Sequence, residues 1–277
     1  GLGDWVANPE RLPNGIKGLS ERIEAMGIKF GLWFEPEMTN KDSDLYRAHP
    51  DWILHTPGRN ASHGRYQYVL DFSRKEVVEY IYEMMAKILS EAKVSYIKWD
   101  MNRSITECYS SKLSSDRQGE VFHRYILGVY DLYERLTNEF PEVLFESCAS
   151  GGGRFDPGML YYAPQGWTSD DSDAIERLKI QYGTSMCYPL SSMGSHVSVV
   201  PNHQVFRNTP LHTRANVAYF GTFGYELDLN KLTEEEIKEY GKQLLEDKIL
   251  LMGMKYEKKD YPRLYGTLYA IGVNSVI

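Results

Sequence analysis

The sequence predicts an α/β fold, a (β/α)8 TIM barrel without its first strand. Short apolar runs alternate with longer amphipathic runs along the chain, and parallel strands need such a helix to return the chain between them. The length of 277 residues suits a single barrel, which typically takes about 250 residues. About seven strand–helix units can be counted, and the first begins with a helix, so we expect a leading strand to be missing.

The spacing of apolar residues predicts each element in turn. Ile16, Leu19, Ile23 and Met26 recur at helical spacing, and Gly27 is suited to be the C-cap of this first helix. Short apolar runs predict strands at 29–34, 68–72, 94–100, 143–148, 166–169 and near 223–229, and a strand end followed by a loop at 195–200. Longer amphipathic runs predict helices at 77–89, 119–139, 174–185, 213–220 and 233–252.

Two of the predicted helices begin with the spacing of a capping box, Ser73 with Glu76 and Thr233 with Glu236. One face of the second helix is predicted to be apolar, through Val77, Val78, Ile81, Met85, Ile88 and Leu89. The inward face predicted for the third helix consists of Phe122, Tyr125, Ile126, Val129, Leu132, Tyr133 and Leu136. These faces would pack on the strands.

Composition excludes several classes of protein. A net charge of −7 lacks the basic surface of a nucleic-acid-binding protein. No apolar run reaches the roughly 18 residues of a membrane span, and the N-terminus lacks a signal-peptide pattern. Three cysteines, Cys108, Cys148 and Cys187, do not make a disulfide framework. We therefore expect a soluble, cytoplasmic protein that binds neither nucleic acid nor membrane.

Chemistry in a barrel gathers at the carboxyl ends of the strands. The end of the first predicted strand carries Trp33, Glu35 and Glu37, which strand alternation would place on one face. Lys98, Asp100 and Asn102 would likewise share a face of a later strand, and a charged Lys two residues before an Asp on an interior strand is costly unless the two groups pair. Further polar ends follow at 146–150 and 167–173.

Several of these residues also have a purely structural interpretation. At least one of Asp171, Ser172 and Asp173 is expected to cap the helix that follows. The glycines at 151–153 lack the Lys that ends a phosphate-binding P-loop. The seven histidines show no metal-ligand spacing, so no metal or cofactor is expected.

Tryptophans lie close to the carboxylates at three strand ends, namely Trp33, Trp99 and Trp167. Indole rings stack on the apolar faces of pyranose sugars, and glycosidic cleavage needs paired carboxylates. Any one of these rings could instead fill the core. Together they favour a carbohydrate-active site.

Four segments resemble the signature segments of the family 36 α-galactosidases: GLWFEPEM at 31–38, YIKWDMNR at 96–103, ESCASGGGRFD at 146–156 and WTSDDSDAIERL at 167–178. The resemblance implies a retaining enzyme without a metal, acting on terminal α-galactosides of the melibiose and raffinose type. By position, Asp100 would be the nucleophile and Asp170 the acid/base. The implied galactose subsite consists of Trp33, Arg65, Lys98, Asn102, Cys148, Gly151 and Trp167.

Alternatives remain open at this point. The chain could be a weak or inactive galactoside-binding fragment, or its reaction could be that of an α-N-acetylgalactosaminidase or a galactosyl transfer. We assign residues 1–255 to the catalytic barrel, incomplete at its N-terminus, and 256–277 to the barrel end or the start of a C-terminal β domain. The expected partners are galactoside oligosaccharides, and a homo-oligomer of the full-length form stays open.

Overall fold

The computed structural model describes residues 1–242. Its strands are β1 (Phe30–Phe34), β2 (Met38–Asn40), β3 (Gln67–Val69), β4 (Val94–Trp99), β5 (Leu144–Ser147), β6 (Gln165–Trp167), β7 (Met193–Ser198) and β8 (Thr222–Glu226). Its helices are α1 (Gly15–Ala25), α2 (Asp44–Ala48), α3 (Lys75–Glu91), α4 (Val121–Glu139), α5 (Pro157–Tyr162), α6 (Ala174–Ser185) and α7 (Leu211–Ala218). The chain divides into two compact units, Gly1–Gly166 and Trp167–Ile277.

Parallel strands form the sheet of the first unit, where β1, β4, β5 and β6 lie side by side in that order. The long helices α3 and α4 connect these strands, and their inward faces are buried. This is the predicted alternation of parallel strands with returning helices. The predicted apolar face of α3 is confirmed, with Val77, Val78, Ile81, Met85 and Leu89 buried.

Phe122 was predicted to face inward on α4, and this is wrong, since its side chain is 52% exposed. The buried face begins one residue earlier, at Val121, and recurs at Tyr125 and Val129. A helix turns about 100° per residue. Because Val121 points to the core, the next residue, Phe122, points away from it. Gly128 lies where α4 packs against the main chain of Phe72, since a Cβ there would lie 1.9 Å from the carbonyl oxygen of Phe72.

The predicted strand at 68–72 is not a member of the parallel set. β3 pairs antiparallel with β2, with Met38 opposite Val69. The apolar residues of this run are nevertheless buried. Hydrophobicity therefore located a core segment here, but it does not determine the strand's partner or direction. The parallel strands of residues 1–242 are accordingly β1 and β4 to β8.

The two predicted capping boxes have different outcomes. Thr233 and Glu236 form theirs: Thr233 N donates to Glu236 Oε2 at 2.8 Å, and Glu236 N to Thr233 Oγ1 at 3.2 Å. Ser73 does not cap α3, whose N-cap is Arg74. The Ser73 hydroxyl instead donates to the carboxylate of Asp71. The Ser73 side chain is therefore engaged with Asp71 and accepts no hydrogen bond from the main-chain N–H groups that begin α3.

In the second unit, β7 and β8 pair in parallel, with Gly194 opposite Thr222. Its buried cluster consists of Val197, Leu211, Ala215, Ala218, Tyr225 and Tyr240. The helix predicted at 233–252 is present from 234 to 242, and the rest of it, like segment 256–277, lies outside the described residues. The other predicted elements are confirmed with ends displaced by a few residues. Across residues 1–242, each helix is too short or too polar to cross a bilayer.

Candidate active site

A row of four side chains crosses the sheet of the first unit. Strand pairing places Trp33 beside Lys98, Lys98 beside Glu146, and Glu146 beside Gln165. Residues paired across neighbouring strands point to the same face of a sheet. The row therefore presents an indole, an ammonium, a carboxylate and an amide along one line.

Glu146 holds the centre of this row. Lys98 Nζ lies 3.1 Å from Glu146 Oε1, Gln165 Nε2 donates to Glu146 Oε2 at 2.6 Å, and the Tyr96 hydroxyl also donates to Glu146. The Glu146 side chain is buried. The sequence pattern predicts Asp100 as the partner of Lys98, whereas the ion pair at 3.1 Å is with Glu146. The neighbouring strand lies about 4.8 Å away, and Asp100 is two residues further along the same strand, about 7 Å.

Asp100 lies directly after β4 and is buried. Its main-chain N donates to Phe34 O at 2.8 Å, which continues the pairing of the two strands beyond their ends. The carboxylate accepts three hydrogen bonds: Oδ2 from Trp33 Nε1 at 3.1 Å and from Asn102 Nδ2 at 2.7 Å, and Oδ1 from Met101 N at 2.9 Å. These three donors fix the orientation of the carboxylate.

Cys148 follows β5 and contacts the same carboxylate. Its main-chain N donates to Trp99 O at 2.8 Å. Burial raises the pKa of the Cys148 thiol well above its ordinary value, and Asp100 adds to this effect while Lys98 opposes it. Cys148 is thus a neutral thiol at physiological pH, which is not the nucleophilic form of cysteine.

The loop after Cys148 contains Gly151, which is buried and has a φ of +82°. Ser150 also has a positive φ, and Ala149 N donates to Gly151 O at 2.9 Å. Only glycine adopts this left-handed conformation without strain. The conformation keeps the main chain of Gly151 beside Cys148.

Arg65 belongs to a tight turn before β3, closed by a hydrogen bond of 2.9 Å from Gln67 N to Gly64 O. A cavity of about 450 Å³ opens at this turn. It is lined by Ser62, His63, Gly64, Arg65, Asn102, Arg103, Ser104 and Thr106. The structure thus brings Arg65 and Asn102 to one cavity, and Asn102 also contacts Asp100.

The prediction that Trp33, Glu35 and Glu37 share one face is wrong. β1 ends at Phe34, so the alternation of a strand does not extend to the two glutamates. Glu37 Oε1 accepts a hydrogen bond of 2.8 Å from Trp99 Nε1. Trp99 and Lys98 are consecutive strand residues and point to opposite faces, so Glu37 lies on the side of the sheet away from Trp33.

Glu37 also anchors Arg154, which follows the Gly151 loop. Arg154 Nη1 and Nη2 donate to the Glu37 carboxylate at 2.9 and 2.7 Å, and the Tyr125 hydroxyl donates at 2.5 Å. Burial opposes the charge of Arg154, but Glu37 outweighs it and raises the pKa of the guanidinium. Trp99 is completely buried and stacks on Tyr133. It is a core residue, unlike Trp33.

Replacing Glu37 by Gln should lower the free energy of unfolding by about 3–5 kcal/mol, because Arg154 would stay buried without its counter-charge. Denaturant unfolding followed by circular dichroism measures this. The matched control is Glu79→Gln, which breaks an exposed two-bond pair with Arg135 and should change the midpoint little. Equal effects of the two substitutions would contradict the prediction.

Asp170 and Trp167 lie in the second unit. Asp170 is exposed, just before α6, and its main-chain O accepts a hydrogen bond from Gln204 Nε2. Trp167 is buried, with the Arg177 guanidinium 3.9 Å from its ring and the His196 ring stacked at 4.5 Å. This packing gives Trp167 a structural role in its unit.

Asp173 caps α6, as expected for at least one residue of this acidic run. Its Oδ2 accepts hydrogen bonds of 3.1 Å from Ile175 N and Glu176 N. Asp173 is buried and also pairs with Arg207, whereas Asp170 is exposed. Of these two acids, Asp170 is therefore the one accessible to a ligand.

Sequence reasoning assigned no role to Glu35, Glu37, Glu146 or Gln165, although the first three were recognised as polar residues at strand ends. Their partners come from distant segments of the chain. The one signal available was the charge of Lys98 on an interior strand, which requires a carboxylate nearby. In the candidate site of the first unit, the predicted site residues are thus held by buried glutamates, and no local sequence pattern identifies these glutamates.

Comparison with known proteins identifies the family of the chain. The sequence profile of the Melibiase family matches residues 1–250. The chain is 54% identical over 272 residues to α-galactosidase AgaA of Geobacillus stearothermophilus, covering 98% of this chain and 36% of AgaA. It is 52% identical over 270 residues to α-galactosidase Mel36A of Lactobacillus acidophilus, with the same two coverages.

The crystal structure of GH36 α-galactosidase AgaA superimposes with a TM-score of 0.88 at 56% identity, covering 90% of this chain and 35% of that one. A variant of AgaA solved in complex with raffinose matches with the same TM-score at 55% identity and the same coverages. These matches confirm the predicted class of a partial (β/α) barrel. The chain spans about a third of the length of the relatives it matches. It belongs to the Melibiase family, among the glycoside hydrolase family 36 α-galactosidases.

Proposed function

We propose that the chain is the catalytic part of a retaining α-galactosidase that hydrolyses terminal α-D-galactosyl residues of oligosaccharides by double displacement. The observation that carries this proposal is the Asp100 carboxylate, which is buried at the carboxyl end of β4 and oriented by three hydrogen-bond donors. A module that only binds a galactoside needs no such carboxylate. A nucleophile must be held in a fixed orientation toward the substrate atom that it attacks, and these donors hold Asp100 in that way.

In this mechanism Asp100 attacks the anomeric carbon while Asp170 gives its proton to the departing glycosidic oxygen. The C–O bond to the leaving group breaks as an ester bond to Asp100 forms. Asp170 then removes a proton from water, whose oxygen displaces Asp100 and releases galactose in the original α configuration. The exposure of Asp170 supports its access to both leaving group and water.

The remaining predicted residues are proposed to form the galactose subsite: Trp33, Arg65, Lys98, Asn102, Cys148, Gly151 and Trp167. Half-buried Trp33 can offer its ring to an apolar sugar face while its Nε1 holds Asp100. Cys148 is proposed to lie against the 2-hydroxyl. Cys148 is a compact, neutral thiol followed by the tight Gly151 loop, and this segment is proposed to exclude an N-acetyl group and so to favour galactosides over N-acetylgalactosaminides.

The substrate class is proposed to include melibiose and raffinose-type sugars. A cavity of about 450 Å³ adjoins Arg65 and Asn102, within the range of roughly 300–1,000 Å³ that is usual for small-molecule sites. Its lining residues include serine, threonine, asparagine and arginine, whose side chains can form hydrogen bonds with the hydroxyl groups of a second sugar ring. The complex of an AgaA variant with raffinose supports the same class.

We also keep the finer sequence predictions as proposals. Residues 1–255 would belong to the catalytic barrel, and the protein would act in the cytoplasm. Cys108, Cys148 and Cys187 are all free thiols, which agrees with a reducing compartment.

The experiment that tests the function follows the hydrolysis of an aryl α-galactoside by proton NMR in the whole protein that carries this chain. Retention predicts that α-galactose appears first and mutarotates afterwards to the β anomer. The aryl α-N-acetylgalactosaminide is the matched control and should be a much poorer substrate. First appearance of β-galactose, or no hydrolysis of the galactoside, would contradict the proposal.

A further inference from the structure

Glu35 lies directly after β1, next to the Asp100 site. The proposed mechanism gives this carboxylate no role. Its side chain is 1% exposed. Glu35 Oε1 accepts a hydrogen bond of 2.6 Å from Asn102 N, and Oε2 accepts one of 2.9 Å from Gln67 Nε2. One buried carboxylate thus joins three segments of the chain: the end of β1, the segment after β4, and β3.

The first of these hydrogen bonds leads to the nucleophile. Glu35 holds the main chain of Asn102, and the Asn102 amide donates to Asp100 Oδ2 at 2.7 Å. A side chain can orient a neighbour only when its own main chain is fixed, and Asn102 lies beyond the end of β4, where ladder hydrogen bonds no longer hold it. Glu35 supplies that support.

The second hydrogen bond leads to the turn that carries Arg65. Gln67 follows this turn, and both Arg65 and Tyr66 have left-handed φ angles, +52° and +60°. Such conformations are strained for residues other than glycine and persist when surrounding contacts hold them. Of the two polar atoms of the Gln67 amide, Nε2 donates to Glu35 while Oε1 is buried without a hydrogen-bond partner.

We propose that Glu35 is a positioning residue of the α-galactosidase reaction, which holds Asn102 against Asp100 and ties the turn of Arg65 to the same point. This inference rests on the proposed function and deepens it. Glu35 acts through Asn102 and Gln67 and does not itself contact the reacting atoms. In its ionised form both oxygens accept strong hydrogen bonds, whereas protonation turns one of them into a donor facing an N–H group.

The surroundings of Glu35 bring the pKa of its carboxyl close to neutral pH. Burial raises its pKa to about 7; the main-chain N–H of Asn102 and the charge of Arg65 oppose this effect, and the negative charge of Asp100 adds to it. Asp100 and Arg65 are the charged groups that act on Glu35 from the elements around it. If ionised Glu35 holds the site together, kcat should fall as the pH drops through about 7.

The test compares pH profiles of kcat for hydrolysis of an aryl α-galactoside by the wild-type protein and by Glu35→Gln. Gln mimics the protonated acid, so kcat should fall about 10- to 100-fold above pH 7 and the acidic limb near pH 7 should disappear. Glu35→Asp keeps the charge on a shorter side chain. It should recover part of kcat and retain an acidic limb, with a displaced midpoint.

Glu107→Gln is the matched control. Glu107 accepts hydrogen bonds from two main-chain N–H groups, of Thr56 at 2.9 Å and Ser62 at 2.7 Å, in a neighbouring loop. Burial raises its pKa, but the bonds from Ser62 and Thr56 outweigh burial and leave it below the ordinary value. Glu107→Gln should therefore keep both the wild-type kcat and the acidic limb.

A folded Glu35→Gln protein with the kcat and pH profile of the wild type would overturn the inference. If that variant fails to fold, Glu35→Asp decides instead, since unchanged kcat and an unmoved limb would overturn it equally. Failure of the proposed function has a different signature. It would appear as absent α-galactoside hydrolysis in the wild-type protein, before any variant is measured.

Discussion

Replacing Asp100 by Asn should abolish the hydrolysis of α-galactosides. The amide is a poor nucleophile and cannot form the glycosyl ester, so kcat should fall by about 10³-fold or more with every substrate, whatever its leaving group. The three donors to Asp100 can still contact the remaining carbonyl oxygen, which favours retention of the fold. Turnover of a chromogenic α-galactoside measures the loss.

The matched control for this substitution is Asp116→Asn, the same change at an exposed carboxylate far along the sequence from β4. It should leave turnover unchanged. Circular dichroism should show the same spectrum for both variants and the wild type. More than a few per cent of residual activity in a clean Asp100→Asn preparation would assign the nucleophile to another residue.

Replacing Asp170 by Ala should cause a selective loss, since only its proton-transfer role is removed. Substrates with poor leaving groups, such as raffinose, should lose about 10²–10⁴-fold in rate. Aryl galactosides with good leaving groups should still form the glycosyl-enzyme, which then accumulates. Added azide should attack this intermediate, raise the turnover rate and yield an α-galactosyl azide.

The neighbouring acid provides the control. Asp171 Oδ1 accepts a hydrogen bond of 3.0 Å from Asp173 N, so Asp171→Ala should cost some stability without changing the dependence on leaving group. A uniform loss of activity in Asp170→Ala without rescue by azide would move the acid/base role away from Asp170. Selective loss in Asp171→Ala would move it to that residue.

The sequence predicted the parallel β/α units because periodicity reports which face of each element is buried. The prediction was wrong where a segment is buried without belonging to the parallel sheet. The run at 68–72 is buried as strongly as a barrel strand, yet β3 pairs with β2 in a separate antiparallel sheet. Partner choice depends on a three-residue strand 27 positions upstream, Met38–Asn40 to Gln67–Val69, and hydrophobicity carries no information about it.

In the candidate site, the sequence predicted the residues expected to contact the sugar better than the residues that support them. Asp100 and Asn102 follow the same strand, and the structure joins them. Lys98 was expected to need a counter-charge, but its Glu146 partner is 48 positions away and is fixed by strand register. Glu35 and Glu37 look equivalent in sequence, two residues apart, yet the turn after β1 sends one toward Asn102 and the other toward Arg154.

The row from Trp33 to Gln165 has a consequence for anyone who wishes to redesign the sugar preference. Its four members come from four adjacent strands, so a one-residue insertion in any of them would reverse which side chains of that strand share the face of the row. A substitution at Lys98 would strand its buried counter-charge at Glu146. Libraries are therefore better directed at the loops beyond the strand ends, residues 62–66 and 149–153, with Arg65 and Gly151 kept, because substitutions there leave the row intact.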